Sequence, residues 1–246
     1  MNEISDSTVI LLKGGRLPSW YQLTAEQQQA FSQEHVALML SIADKHGMQR
    51  LEGFRLIGPQ DSWQRFWVIE FPTLEGAESW IEAEMAPPYG LYGYYDYSLA
   101  RNYKPEIFSA WAVKPPPPIV PLEEDPHNIP VLAADNRTIN LLMFVRYRPG
   151  VEALTPEERG DEEHVELMTS LAGERDLMRL EAFQLIHRQD DWHRAWIIEL
   201  PNLEAVEAWI DGEETPPHGI HARREFRLAR RWSADYFASW VRDGGE

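Results

Sequence analysis

The sequence predicts an α+β fold in which two βαββαβ units set their antiparallel sheets face to face with helices outside. Three observations carry this: the chain is written twice, both copies order their strand and helix signals alike, and the central strands are apolar on both faces. A shift of 129 positions lays Glu34–Trp111 on Glu163–Trp240 with 35 of 78 residues identical, and a repeat of this kind decides the architecture before any local signal does. EHVALM at Glu34 meets EHVELM at Glu163, QDSWQRFWVIEFP at Gln60 meets QDDWHRAWIIELP at Gln189, and PPYG at Pro87 meets PPHG at Pro216.

Each element has a local reason. Val9–Lys13 and Ile139–Val145 are short apolar runs that suit a buried strand. Thr24-Ala-Glu-Gln and Thr155-Pro-Glu-Glu are capping boxes, in which two side chains satisfy the free N–H groups that open a helix; Gly47 suits the end of that helix in the first copy. Arg50–Ile57 and Trp63–Phe71, repeated at Arg179–Ile186 and Trp192–Leu200, are strand pairs joined by a polar loop holding Gln60-Asp61 or Gln189-Asp190. Thr73 and Asn202 are N-caps for a second helix carrying Trp80 or Trp209. Tyr94–Tyr103 and Arg223–Trp232 are the last strands, and KPEIFSAW and SADYFASW each suit a short closing helix. Along Trp63–Phe71, Trp63, Trp67, Ile69 and Phe71 share one face while Phe66 and Val68 occupy the other. A strand apolar on both sides belongs in a sheet covered twice. Two helices cover one face, and the other copy's sheet is the expected cover of the second.

The organisation that follows is a flexible N-terminus over 1–7, repeats over 8–111 and 138–241, a proline-rich linker over 112–137 and a tail over 242–246. PPPP at Pro115, followed by Pro121, Pro126 and Pro130, reads as a stiff polyproline II connector. Asp and Glu number 40 against 23 Lys and Arg, a net charge of −17. Nucleic acid and membrane surfaces are therefore not expected partners, since both select a basic face. No cysteine is present, which excludes disulfides, thiolate nucleophiles and iron–sulfur clusters. The start, MNEISDSTVILL, lacks the basic region of a signal peptide, and no apolar run reaches transmembrane length. The expectation is a cytoplasmic protein, monomer or homo-oligomer, that binds a small aromatic or anionic molecule.

No G-x-S-x-G, P-loop, H-E-x-x-H or dinucleotide fingerprint occurs, so candidates are polar residues where core residues are expected. His35 falls at helical spacing with Phe31, Leu38 and Ile42, and His164 with Leu167, Met168 and Leu171. A pocket histidine can move protons near neutral pH or bind a metal; a packing histidine explains the same pattern. Arg101 and Arg230 share strand faces with Tyr97, Leu99 and Leu228, where a guanidinium needs a carboxylate from the protein or from a ligand. Arg65 lies between Trp63 and Trp67, and Arg194 between Trp192 and Trp196, which suits cation–π stacking or an aromatic-lined pocket. Tyr92 and Tyr97 offer phenols. In the second copy His218-Gly-Ile-His221 replaces Tyr89-Gly-Leu-Tyr92 and, with His164, could assemble a metal site. That copy holds thirteen arginines over 138–246 and no lysine, so an anion-binding surface on its last strand is a further expectation.

The duplicated βαββαβ order resembles the ferredoxin-like dimeric α/β-barrel superfamily, and PSWYQLTAEQQQAF at Pro18 followed by EH at Glu34 resembles darcynin-like proteins. The superfamily resemblance implies a pocket between each sheet and its own helices. It spans cofactor-free monooxygenases, polyketide cyclases, isomerases and haem proteins such as chlorite dismutase-like enzymes. The leading expectation is a cyclase, isomerase or cofactor-free monooxygenase, needing no cofactor and acting on an aromatic or polyketide-like compound. His35 and His164 would be its acid/base groups, Arg101 and Arg230 its oxyanion stabilisers, and Trp63, Arg65, Trp67, Trp192, Arg194, Trp196, Tyr92 and Tyr97 its substrate-binding residues. Two alternatives stand beside it: a haem or divalent-metal enzyme with its site in the second repeat at His164, His218 or His221, and a non-catalytic ligand-binding protein.

Overall fold

The computed structural model describes residues 5–58, 63–113, 119–121, 130–132, 138–186 and 192–232. The loops at Gln60-Asp61 and Gln189-Asp190, the PPPP run, residues 1–4, the second closing helix and the C-terminal tail lie outside the described residues. The first repeat runs β1 (Thr8–Arg16), α1 (Ala25–Lys45), β2 (Arg50–Leu56), β3 (Arg65–Phe71), α2 (Leu74–Met85), β4 (Gly93–Tyr103) and the short α3 (Pro105–Ser109). β1 pairs antiparallel with β3 and β4, and β3 with β2, in the order β4-β1-β3-β2. After β5 (Ile119–Pro121) and β6 (Pro130–Leu132), the second repeat runs β7 (Ile139–Tyr147), α4 (Pro156–Arg159), α5 (Asp161–Glu174), β8 (Arg179–Leu185), β9 (Arg194–Leu200), α6 (Leu203–Glu214) and β10 (Ala222–Arg231). Its strand order, β10-β7-β9-β8, is again antiparallel. The α+β class and the twice-written βαββαβ order stand as the sequence predicts.

The helix starts follow the capping chemistry. Gln27 N donates to Thr24 Oγ1 and Thr24 N to Gln27 Oε1; Glu158 and Thr155 repeat the exchange. Thr73 and Asn202 accept from the third residue of α2 and α6. Two expectations change. Gly160, at φ +66°, breaks the first helix of the second repeat into α4 and α5. The proline-rich segment, where described, is a strand pair rather than a stiff connector: β5 pairs antiparallel with β6, and β6 joins β2 in parallel at Val131 and Leu51. Pro121 ends one strand and Pro130 begins the other, positions where a missing N–H is tolerated.

The described residues form two compact units. One holds Asp6–Ala100, β5, β6 and, from the end of β10, Arg231 and Trp232; the other holds Ser5, Arg101–Val113 and Thr138–Arg230. Each unit thus takes in the end of the opposite repeat's last strand. In the first, the helix-covered core contains Ile10, Leu12, Met39, Ile69 and Trp80, while Leu11, Phe66 and Val68, of opposite parity on the same strands, are buried as well. Trp232 N donates to Gly53 O at 2.9 Å, and its ring lies 4.6 Å from that of Trp67. A Cβ on Gly53 would come within 2.2 Å of the Trp232 ring. Beside it Glu52, 2% exposed, accepts from Arg231 Nε at 2.7 Å and from Arg50 Nε at 3.1 Å. In the second unit Phe108 stands edge-on to Trp196 at 4.8 Å, and the Arg194 guanidinium lies 4.1 Å from the Tyr103 ring.

A buried carboxylate that neutralises two arginines leaves uncompensated charge when removed. Glu52→Ala is therefore expected to destabilise the protein by about 3–5 kcal/mol, read as a lower urea midpoint. Glu181→Ala, whose carboxylate beside Arg179 is 33% exposed and replaceable by water, should cost less. Gly53→Ala should displace Trp232 and shift tryptophan emission to the red; an unchanged spectrum would contradict the packing described.

Candidate functional site

In the first repeat β1 ends Gly14-Gly15-Arg16, and a Cβ on Gly14 would meet nothing closer than 3.7 Å. The space so left is a cavity of about 80 Å³, walled by His35, Trp67, Trp80, Glu84 and Tyr95, with Arg16 and Arg65 on its rim of lining residues. α1 brings His35 there on the same face as Ser32 and Met39. The imidazole stacks on Tyr89 at 4.5 Å, and its Nε2 is buried with no hydrogen-bond partner. Burial, with the Arg16 guanidinium adding to it, lowers its pKa to about 4, so the ring is neutral. One turn beyond Trp80 on α2, Glu84 Oε2 accepts from Trp80 Nε1 and from Tyr97 Oη, both at 3.1 Å. Burial outweighs those bonds and raises its pKa to about 7. Burial and the nearby Glu84 also push Tyr95 up to about 12 and raise Tyr97 further.

The second repeat answers the same positions differently. Strand register sets Val145 where Gly14 stands and Arg224 where Tyr95 stands. Arg224 Nε donates to Glu213 Oε2 at 3.0 Å, and its Nη1 donates to Gly219 O at 3.0 Å. Trp209 Nε1, the counterpart of Trp80 Nε1, is left buried without a partner. His164 stacks on His218 with centroids 3.8 Å apart and planes at 10°, and its Nε2 lies 3.7 Å from Glu213. Burial, then His218 and Arg224, lower its pKa to about 3. His218 is lowered too, chiefly by burial and Arg224, although Asp161 lies 3.4 Å away. Stacked rings aim their nitrogen lone pairs along parallel planes. The metal site expected from His164, His218 and His221 is not assembled, and no group of three or more His, Asp or Glu able to hold a metal ion occurs among the described residues.

Other sequence candidates scatter. Arg65 and Trp67 line the first cavity, Tyr97 reaches it through Glu84, and Tyr92 packs on Phe31 at 5.2 Å. Trp63 departs from the face of Trp67: β3 begins only at Arg65, and the Trp63 ring stands 6.4 Å from Phe66, as Trp192 stands 6.2 Å from Phe144. Arg65 faces Trp232 at 5.5 Å and Arg194 faces Tyr103, so the expected Trp-Arg-Trp stacks do not form. Trp196 is occupied by Phe108. Arg101 belongs to the other compact unit than His35, and Arg230 Nη1 donates to Thr138 O at 3.1 Å. Six residues of strand, about 20 Å, separate Arg230 from Arg224. The cations beside the two histidines are Arg16 and Arg224. Sequence reasoning placed Arg224 only within an anion-binding last strand and missed Arg16, Glu84 and Glu213, although Trp80-Ile-Glu-Ala-Glu84 and Trp209-Ile-Asp-Gly-Glu213 both put an acid one turn past a core tryptophan.

No family model matches the sequence, and no curated protein does. Solved structures do match. A single-residue variant of chlorite dismutase from Candidatus Nitrospira defluvii is similar with a TM-score of 0.70 and 14% identity, over 94% of this chain and 93% of that one. The same enzyme in complex with imidazole gives 0.67 and 14%, again over 94% and 93%. A putative chlorite dismutase gives 0.63 and 12%, over 96% of this chain and 98% of that one. Nothing found supports the darcynin-like resemblance. The solved structures named here are chlorite dismutases and not cyclases, isomerases or monooxygenases, and the leading expectation of a cofactor-free enzyme of those kinds is withdrawn on that finding. The chain has the ferredoxin-like α+β fold of chlorite dismutase-like structures.

Proposed function

We propose that this chain is a haem-dependent enzyme of the chlorite dismutase-like kind, with the iron ligand supplied by the first repeat. The observation that carries the assignment is His35: a neutral imidazole whose Nε2 is buried, unpartnered and set in a cavity wall. That is the donor a haem iron takes. His164, one of the three ligands the sequence offers in the second repeat beside His218 and His221, has its Nε2 3.7 Å from Glu213 and its ring stacked on His218. The donor chemistry thus fits at His35. The volume does not: about 80 Å³ holds about five to eight waters, so a tetrapyrrole enters only if Trp67, Trp80 and Tyr95 move apart.

When bound, a haem supplies a redox-active iron. The chain's own residues supply the surroundings. Arg16 and Arg65 present positive charge to an anionic ligand. Glu84, fixed by Trp80 and Tyr97, can hold or release a proton near neutral pH. The cavity's small volume favours one second reading, a non-catalytic site for a small anion or planar molecule.

Hemin titration of the purified chain separates the two. A Soret band saturating at one equivalent, lost in His35→Ala and retained in His164→Ala, is the expected result. Absence of the band overturns the haem reading and leaves the second. Loss in His164→Ala alone would return the ligand to the second repeat.

The buried pair also predicts a pH signature. His35, lowered from 6.5 to about 4, contributes stability that is lost as pH falls through that interval. Glu84, raised from 4.5 to about 7, contributes stability that is lost as pH rises through it. Glu84→Gln keeps a neutral side chain and removes only the second dependence. Its urea midpoint should gain on the wild type between pH 5 and pH 8; a constant difference would contradict the raised acid.

A further inference from the structure

The end of β7 and the start of β10 in the second repeat hold a feature that the haem reading does not use. Arg146, Arg148, Arg223 and Arg224, with Tyr147, Ile220 and a single carboxylate, Glu214, line an open groove of about 710 Å³, within the size range of small-molecule sites. Arg146 and Arg223 stand directly opposite each other in the antiparallel register, which brings two guanidinium side chains to one place on the sheet. Arg148 and Arg223 are exposed, and neither is in an ion pair among the described residues. Arg224 is already oriented by Glu213 and the Gly219 carbonyl. The first repeat provides an internal control. Its residues at the same register positions are Gly15, Leu17, Tyr94 and Tyr95, so the fold itself does not need the arginines. They gather here in a chain whose net charge is −17.

We propose that this groove binds a small anionic molecule bearing a phosphate or paired carboxylates. Guanidinium forks match either group with two parallel N–H donors, and Tyr147 and Ile220 supply an apolar wall for the rest of the molecule. The acidic remainder of the surface repels an extended polyanion, which leaves a compact ligand. The site is independent of His35 and of haem.

Calorimetric titration of the whole chain at low salt tests this with inorganic pyrophosphate and with citrate. One-site binding to at least one probe is expected, weakened about tenfold or more in the R148Q/R223Q double variant and unchanged in Arg55→Gln, which removes a cation at an exposed position of the first repeat. Binding of pyrophosphate alone assigns a phosphate ligand, and binding of citrate alone a carboxylate ligand. No saturable binding to either probe, or equal weakening by Arg55→Gln, overturns the proposal.

Discussion

The second helix of each repeat drives a carboxylate into its apolar seam, and the rest of each site depends on how that buried charge is satisfied. Glu84 and Glu213 are 9% and 8% exposed, each one turn past a tryptophan that anchors its helix on the sheet. In the first repeat the partners are neutral donors, Trp80 and Tyr97, and the acid keeps a proton at mildly acidic pH. In the second a guanidinium takes over, and the anchoring tryptophan's own N–H goes without a partner. A buried acid needs hydrogen bonds or a counter-charge; the two repeats use one each.

That choice propagates to the strand ends. With Tyr95 rather than an arginine opposite Gly14, the first repeat leaves a cavity in which Tyr95 stands beside Glu84 and the cations are Arg16 and Arg65. With Arg224 opposite Val145, the second gives its acid a guanidinium partner, and its cavity of about 160 Å³ lies instead at His164, His218 and Pro217. The strand exits differ as well. Gly53 admits the Trp232 ring at a distance that the Cβ of Ala182, its counterpart, would forbid, and the second unit covers Trp196 with Phe108 instead. Nearly half the duplicated residues remain identical, yet a few substitutions at these ends separate one chemistry from the other.

Local chemistry was legible in the sequence. Capping threonines, the duplicated strand pairs and the doubly buried β1 and β3 all follow from side-chain period and hydrogen-bonding reach within a few residues. Long-range partners were not legible. Alternation put Trp63 on the face of Trp67, but alternation holds only inside a strand, and Trp63 precedes the first ladder residue. Arg101 and Arg230 share strand faces with apolar residues, yet which end of a strand meets the histidine depends on tertiary register. The proline run suggested an extended connector because composition cannot show that Val131 finds Leu51 at a sheet edge. Glu84 and Glu213 carried a readable signal, a repeated acid on a buried helical face, and it outranked the arginines that drew attention first.

His35 and His164 are both forced neutral by burial, so protonation state cannot distinguish them as donors. Availability can. Both precede their helix-borne acid by the same interval, an inheritance from one ancestral unit. In the second repeat Arg224 pulls that acid toward itself, and Glu213 lies beside His164 while His218 covers the ring. In the first repeat Glu84 is held by Trp80 and Tyr97, and His35, a residue of the cavity wall, keeps its Nε2 with nothing bonded to it. An unsatisfied buried nitrogen costs about 1–3 kcal/mol; His164 Nδ1 and Trp209 Nε1 carry the same cost, and what sets His35 apart is its place beside Glu84 in the wall of one cavity. An iron, or a ligand small enough for the cavity, would remove that cost at His35.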